Sequence, residues 1–137
     1  MNEFENELIV KEEKYQKGFI NYTNHPSRSW SENQIEAARK YGEIQDIPFP
    51  SVNANMDEKE VRKMAEEEVR KILGYNPGCV LCQGEFTLAY GVIKILREKK
   101  VKVVAACSER IAEEKNLSNG VVEKTSRFRF VRFREYQ

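Results

Sequence analysis

Residues 79–90 read Cys-Val-Leu-Cys-Gln-Gly-Glu-Phe-Thr-Leu-Ala-Tyr, and this stretch decides the fold. Cys79–Cys82 is a short, unbroken apolar run of the kind carried by a strand covered on both faces. Gln83-Gly84-Glu85 interrupts it, and Leu88, Val92, Ile93 and Leu96 then recur at helical spacing. Lys99-Lys100 supplies the positive charge that suits a helix C-terminus. A buried strand feeding directly into an amphipathic helix is half of a parallel βαβ unit, so the neighbouring segments should supply its repeats.

They do so on both sides. Upstream, Asp57 with Glu60 three residues later is a capping box. It opens a helix whose stripe is Val61, Met64, Ala65, Val69, Ile72 and Leu73 and which ends at Gly74 and Asn76-Pro77-Gly78. Glu43–Phe49 reads as a strand closed by Pro48 and Pro50. Before it, Ser31 with Gln34, or Ser29 with Glu32, starts a helix that carries Ile35, Ala38 and Tyr41 and stops at Gly42. Phe19–Thr23 is a first strand running into the polar loop Asn24-His25-Pro26-Ser27.

Downstream, Val101–Cys107 is an apolar strand, followed by Ser108-Glu109-Arg110 and a short acidic helix to about Lys115. Asn119-Gly120 marks a turn, and Arg127–Arg134 alternates as a closing strand. Strict alternation would put Phe128 and Phe130 on one side and Val131 and Phe133 on the other. The charges suit an edge strand, with a dimer interface as a further use.

The expected architecture is one Rossmann-like, three-layer α/β domain over residues 18–137. Its five-stranded, mostly parallel sheet has the order 2-1-3-4-5, with helices on both faces and the last strand's direction open. Residues 1–17 read as a tail or an added edge segment.

Composition narrows the function. Lys and Arg total 23 against 22 Asp and Glu in 137 residues. A long nucleic acid usually demands a clear positive excess, so any nucleotide partner should be small and locally bound. No apolar run approaches the roughly 20 residues that span a bilayer, and the acidic opening MNEFENELIVKEEKYQ lacks the pattern of a secretory signal. With three cysteines, an odd number, the expected setting is a reducing cytoplasm.

For the order 2-1-3-4-5 the ligand site belongs beyond the carboxyl ends of strands one and three, where the order reverses. Asn21, Thr23, Asn24 and Ser27 are candidate hydrogen-bonding residues there, unless they satisfy the turn's own backbone. His25, the single histidine, is a candidate acid or base, or a plain loop residue. Gln83, Gly84, Phe86 and Thr87 form a candidate phosphate cradle at a helix N-terminus, where Gly84 allows close approach. Glu85 opposes an anion and is read as a helix cap or a ribose ligand. Ser108 and Arg110 are placed beside this site, with Arg110 able to grip a phosphate or to pair with Glu109 or Glu113. Trp30 reads as an anchor for the helix start. Cys79 and Cys82 spell C-x-x-C, but residues three apart on a strand point to opposite faces. No second Cys/His pair completes a zinc site, so no metal and no cofactor is expected.

The segments NYTNHPS-x-x-W-S (21–31), YGEIQDIPFP (41–50), QGEFTLAY (83–90), VVAACSER (103–110) and FRFVRFREY (128–136) together resemble a family of small CARF-like (CRISPR-associated Rossmann fold) proteins of type III CRISPR systems. The resemblance spans residues 18–137. It implies an antiviral defence role and a homodimer that binds cyclic oligoadenylate across its two-fold axis. Some members are ring nucleases, which align a ribose 2′-hydroxyl for metal-independent in-line attack on the adjacent phosphate. Carried over, Asn21, Thr23, Asn24 and Ser27 would orient the ring, Gly84, Phe86 and Thr87 would cradle phosphate, Arg110 would stabilise charge, and His25 would shuttle a proton. The low positive charge of these loops departs from what a polyanionic ring wants. Two other readings stand beside it: a non-catalytic nucleotide sensor or adaptor, and a small nucleotide or sugar-phosphate transfer enzyme with Glu85 as nucleophile.

Overall fold

The computed structural model describes residues 17–137. The expectation for the N-terminal segment falls almost wholly on residues 1–16, outside those described. Elements run β1 (Gly18–Tyr22), a 3-10 turn (Ser27–Ser29), α1 (Glu32–Arg39), β2 (Ile44–Asp46), α2 (Glu58–Leu73), β3 (Pro77–Cys82), α3 (Phe86–Glu98), β4 (Lys102–Asn116) and β5 (Val122–Glu135). They form a mixed α/β domain around one five-stranded sheet of order β2-β1-β3-β4-β5.

The local signals explain most of these boundaries. The Ser31 side chain accepts from the Gln34 N–H to start α1. Asp57 and Glu60 close a reciprocal capping box at α2. After α1 the chain turns back at Gly42, whose φ of +138° and crowding against Lys17 leave no room for a Cβ. β2 is shorter than the expected Glu43–Phe49. Beyond Asp46, Ile47 N–H still donates to Asn21 O (2.9 Å) and Phe49 N–H to Thr23 O (3.4 Å). Pro48 and Pro50 have no N–H to extend the ladder.

β2, β1, β3 and β4 are mutually parallel, and each strand's alternate residues enter opposite cores. Ile20, Tyr22, Val80, Cys82 and Val103 pack with Val69 and Ile72 of α2 and Leu88, Val92 and Leu96 of α3. On the other face Phe19, Cys79, Leu81 and Val104 pack with Ala38 of α1, Trp30, Tyr41 and Phe133. Trp30 therefore anchors the approach to α1: its ring lies edge-on to Phe19 at 6.2 Å and its Nε1 donates to His25 O (3.1 Å).

The C-terminal third departs from expectation. No helix follows Arg110. β4 continues to Asn116 and pairs antiparallel with β5, turning through Gly120 at φ +79°. The stretch Ser108–Lys115 has good helix formers, but cross-strand partners override that preference: Arg127 meets Glu113 at 2.9 Å and Lys124 meets Glu114 at 3.9 Å. The sheet is consequently mixed, four parallel strands with an antiparallel fifth, which answers the direction that the sequence left open.

The alternation of β5 is also corrected. Cys107 pairs with Arg132 but Ser108 pairs with Phe130, so Val131 is an extra, bulged residue. The bulge shifts the phase by one, bringing Phe130 onto the same side as Phe133, with ring centroids 4.9 Å apart.

Candidate functional site

The parallel strands β1 and β3 lie side by side, with Tyr22 opposite Cys82, so their following loops meet. Gln83 N–H donates to Tyr22 O (3.3 Å), joining them directly. Over this junction, on the α1 side of the sheet, opens a cleft of about 830 Å³. Thr23, Leu81, Gln83, Ala106 and Ser108 line its floor. His25, Trp30, Ser31, Asn33 and Gln34 border it from the α1 side, and Arg127 to Phe130 from the hairpin.

The first of these loops is held by a network centred on buried Asn21. Its Nδ2 donates to His25 O (2.8 Å) and to Asp46 Oδ1 (3.1 Å), while its Oδ1 accepts from Thr23 Oγ1 (2.7 Å). Thr23 Oγ1 in turn accepts from His25 N–H (3.1 Å), and Asp46 Oδ2 accepts from Ser27 N–H (3.1 Å). Asn21 thus spends its hydrogen bonds on the loop's own framework. The result fixes the backbone of His25 while its side chain stands exposed at the cleft.

The second loop is set by packing. A Cβ at Gly84 would fall 2.5 Å from the Phe49 ring, so glycine is demanded by a neighbouring side chain of the fold. Glu85 caps α3. Its carboxylate accepts from Thr87 N–H (3.0 Å), Leu88 N–H (2.8 Å) and Thr87 Oγ1 (2.7 Å). These backbone hydrogen bonds, with the Thr87 hydroxyl, hold the Glu85 carboxyl below its ordinary pKa. The carboxylate occupies the N–H groups that a phosphate would need at this helix end.

The structure brings Thr23, His25, Gln83 and Ser108 to one cleft. It sets the other candidates elsewhere. Asn24 is exposed and Ser27 half-buried, both beside the cleft rather than in its lining. Gly84 and Phe86 border a separate groove beside α3, and Thr87 faces the furrow between α2 and α3. Arg110 lies out on the hairpin, where its Nη2 donates to Ser126 Oγ (3.3 Å).

Sequence reasoning missed Asp46, which ties the end of β2 to the β1 loop. Its one signal was a carboxylate at a strand end, ahead of Pro48. It also missed Arg127, Arg129 and Phe130 as cleft residues. The basic-aromatic alternation there was visible, but their place depends on the antiparallel turn of β5. Both arginines are already paired in the hairpin, Arg127 with Glu113 and Arg129 with Glu109.

Chemically, the cleft offers amide and hydroxyl groups for hydrogen bonding, aromatic surface from Trp30 and Phe130, and an exposed imidazole. Cys79 and Cys82 are fully buried in opposite cores, and burial pushes both thiols up to about 12. Among the described residues, no group of three or more His, Cys, Asp or Glu side chains is placed to hold a metal ion, and no helix is long and apolar enough to cross a membrane.

No curated protein and no solved structure matches the chain. The model of the uncharacterized protein MJ1673 family matches residues 17–134, nearly all of the sequence, and the chain belongs to that family.

Proposed function

We propose that this protein is a CARF-like, Rossmann-type nucleotide-binding domain whose cleft takes cyclic oligoadenylate. One observation carries the reading: a cleft at the switch point of the sheet combines hydrogen-bonding side chains, aromatic surface and arginines at one rim. An adenine can lie against Phe130 or Trp30, with its edge or its ribose toward Gln83, Ser108 and Gln34. Phosphates then lie toward the hairpin, whose Arg127 and Arg129 must leave Glu113 and Glu109 to reach them. The work belongs in the cytoplasm, as part of antiviral defence.

In the catalytic form of this reading, the ribose 2′-oxygen attacks the neighbouring phosphorus and the bond from phosphorus to the 5′-oxygen breaks. The 2′-hydroxyl proton is lost and the departing 5′-oxygen gains one, leaving a linear product with a 2′,3′-cyclic phosphate. His25 is the group at the cleft able to carry that proton. Positioning supplies most of the rate gain. A second reading, a sensor that binds without cutting, draws support from the arginines: each is engaged by a glutamate and so is less available to stabilise developing charge. Both readings give Glu85 a capping role and no chemistry.

The test is to incubate the purified protein, in EDTA, with cyclic tri-, tetra- and hexa-adenylate and follow products by chromatography and mass spectrometry. Linear products ending in a 2′,3′-cyclic phosphate establish cleavage. Retention of an intact ring in equilibrium dialysis establishes the sensor. If no ring is either bound or cleaved, the proposal is overturned.

A further inference from the structure

A groove of about 980 Å³ runs beside α3, on the face of the sheet away from the cleft. Ala89 and Ile93 form its floor, and Tyr136 closes its far side. That wall is fixed: the Tyr136 N–H donates to Val103 O (2.9 Å) and its hydroxyl to Cys82 O (3.0 Å). Phe86, 89% exposed, and Tyr90, 69% exposed, stand at the rim. Apolar surface gathered around a recess in this way suits apolar side chains from elsewhere.

The end of the groove at the C-terminus of α3 is basic. Lys94, Arg97, Lys99 and Lys100 are exposed there, and none of the ion pairs among the described residues engages them. Residues 1–16 have the complementary chemistry. They carry Glu3, Glu5, Glu7, Glu12 and Glu13 against Lys11 and Lys14, and they enclose the apolar cluster Leu8-Ile9-Val10.

The point of attachment fits as well. Phe19 pairs with Cys79 and Cys79 with Lys102, so Lys17 and the end of α3 share one end of the sheet. Two strand spacings, about 10 Å, separate β1 from β4. Val10 precedes Lys17 by seven residues, and seven extended residues reach about 23 Å. A chain running from Lys17 toward α3 therefore brings Glu12-Glu13 to Arg97, Lys99 and Lys100 before Leu8-Ile9-Val10 meets the apolar floor. The tether also gives this segment a millimolar-scale effective concentration, about what a free partner of the same chemistry would have to match.

We infer that the N-terminal segment docks on its own chain in the α3 groove. Leu8-Ile9-Val10 lies against Ala89 and Ile93, and Glu12-Glu13 against the basic end of the helix. This inference is independent of what the cleft binds.

Photocrosslinking of the full chain tests it. Leu8→benzoylphenylalanine protein is prepared with and without nitrogen-15, the two forms are mixed, and the photoproducts are mapped by mass spectrometry. The expected crosslink joins position 8 to the peptide carrying Phe86–Lys94, or to Tyr136, within one chain. Lys94→Glu combined with Arg97→Glu, both at exposed positions, should cut its yield roughly fivefold with unchanged circular dichroism. Adding Glu12→Lys and Glu13→Lys to that variant should restore the yield. Crosslinks joining labelled to unlabelled copies would give the groove to a second chain and overturn the inference. Crosslinks only to other surfaces, no crosslink at all, or a yield indifferent to the charge reversals would overturn it too.

Discussion

Asn21 has the surroundings of a structural residue in a functional place. Its amide links Asp46, Thr23 and the His25 carbonyl, so the β1 loop is held from below by a buried side chain. Asn21→Ala leaves these partners short within a closed site, a loss of about 1–3 kcal/mol. Urea unfolding should report it as a lower midpoint. Glu85 makes a different prediction, through pH. Its carboxyl is held below the unfolded value, so the stability it contributes is present above the unfolded pKa of about 4.5 and is lost as pH falls through the folded one. The melting temperature of Glu85→Gln should lie below that of the unsubstituted protein at neutral pH, and the gap should close as pH falls below the unfolded pKa of about 4.5 and through the lower folded one. A constant gap would mean that shape, not charge, makes the cap. Glu109 is a third case: Glu109→Gln frees Arg129 from its ion pair and should tighten binding of an anionic ligand in the cleft. Isothermal titration with cyclic tetra-adenylate reads the change.

Among the elements, legibility followed the range of the forces involved. The capping box at Asp57, the stripe on α2 and the strand-to-helix junction at 79–90 are local, and the sequence states them. The strand order could be reasoned from the βα alternation alone. The hairpin could not. Ser108–Lys115 favours a helix locally, and only its partners across the hairpin on β5, from Phe130 down to Glu123, make it a strand. The site inherited this gap: Thr23, His25, Gln83 and Ser108 converge as the fold logic expects, whereas Arg110 is carried off by the hairpin and Arg127 and Arg129 are carried in. The distal hairpin buries little apolar surface, for Ser108–Arg110 and Asn116–Arg129 are all exposed. Two strands of this kind are marginal by themselves. Native-state hydrogen exchange should show amides of 110–116 and 122–128 exchanging at least a hundredfold faster than those of β1 and β3. Equal protection in a monomeric sample would contradict this.

For the whole molecule, the sheet separates two cores, and the three cysteines sample them unequally. Cys79 lies in one core and Cys82 in the other, both fully buried, while Cys107 is half-buried where β4 enters the hairpin. A thiol reagent applied to the native protein should modify one cysteine readily. The other two should react only at the rate of global opening, because burial opposes both access and ionisation. Two rapidly reacting thiols would show that one core is open to solvent.

The bulge at Val131 has a mechanical meaning. It sits where the hairpin leaves the sheet, next to the residues that wall the cleft. Beyond it, residues 108–116 advance about 3.4 Å each, so the tip stands about 30 Å out. A tilt of about 10° at the base moves a tip at that radius by about 5 Å. Were the hairpin to pivot at that base, a small displacement of Phe130 beside the cleft would be magnified at Asn119-Gly120.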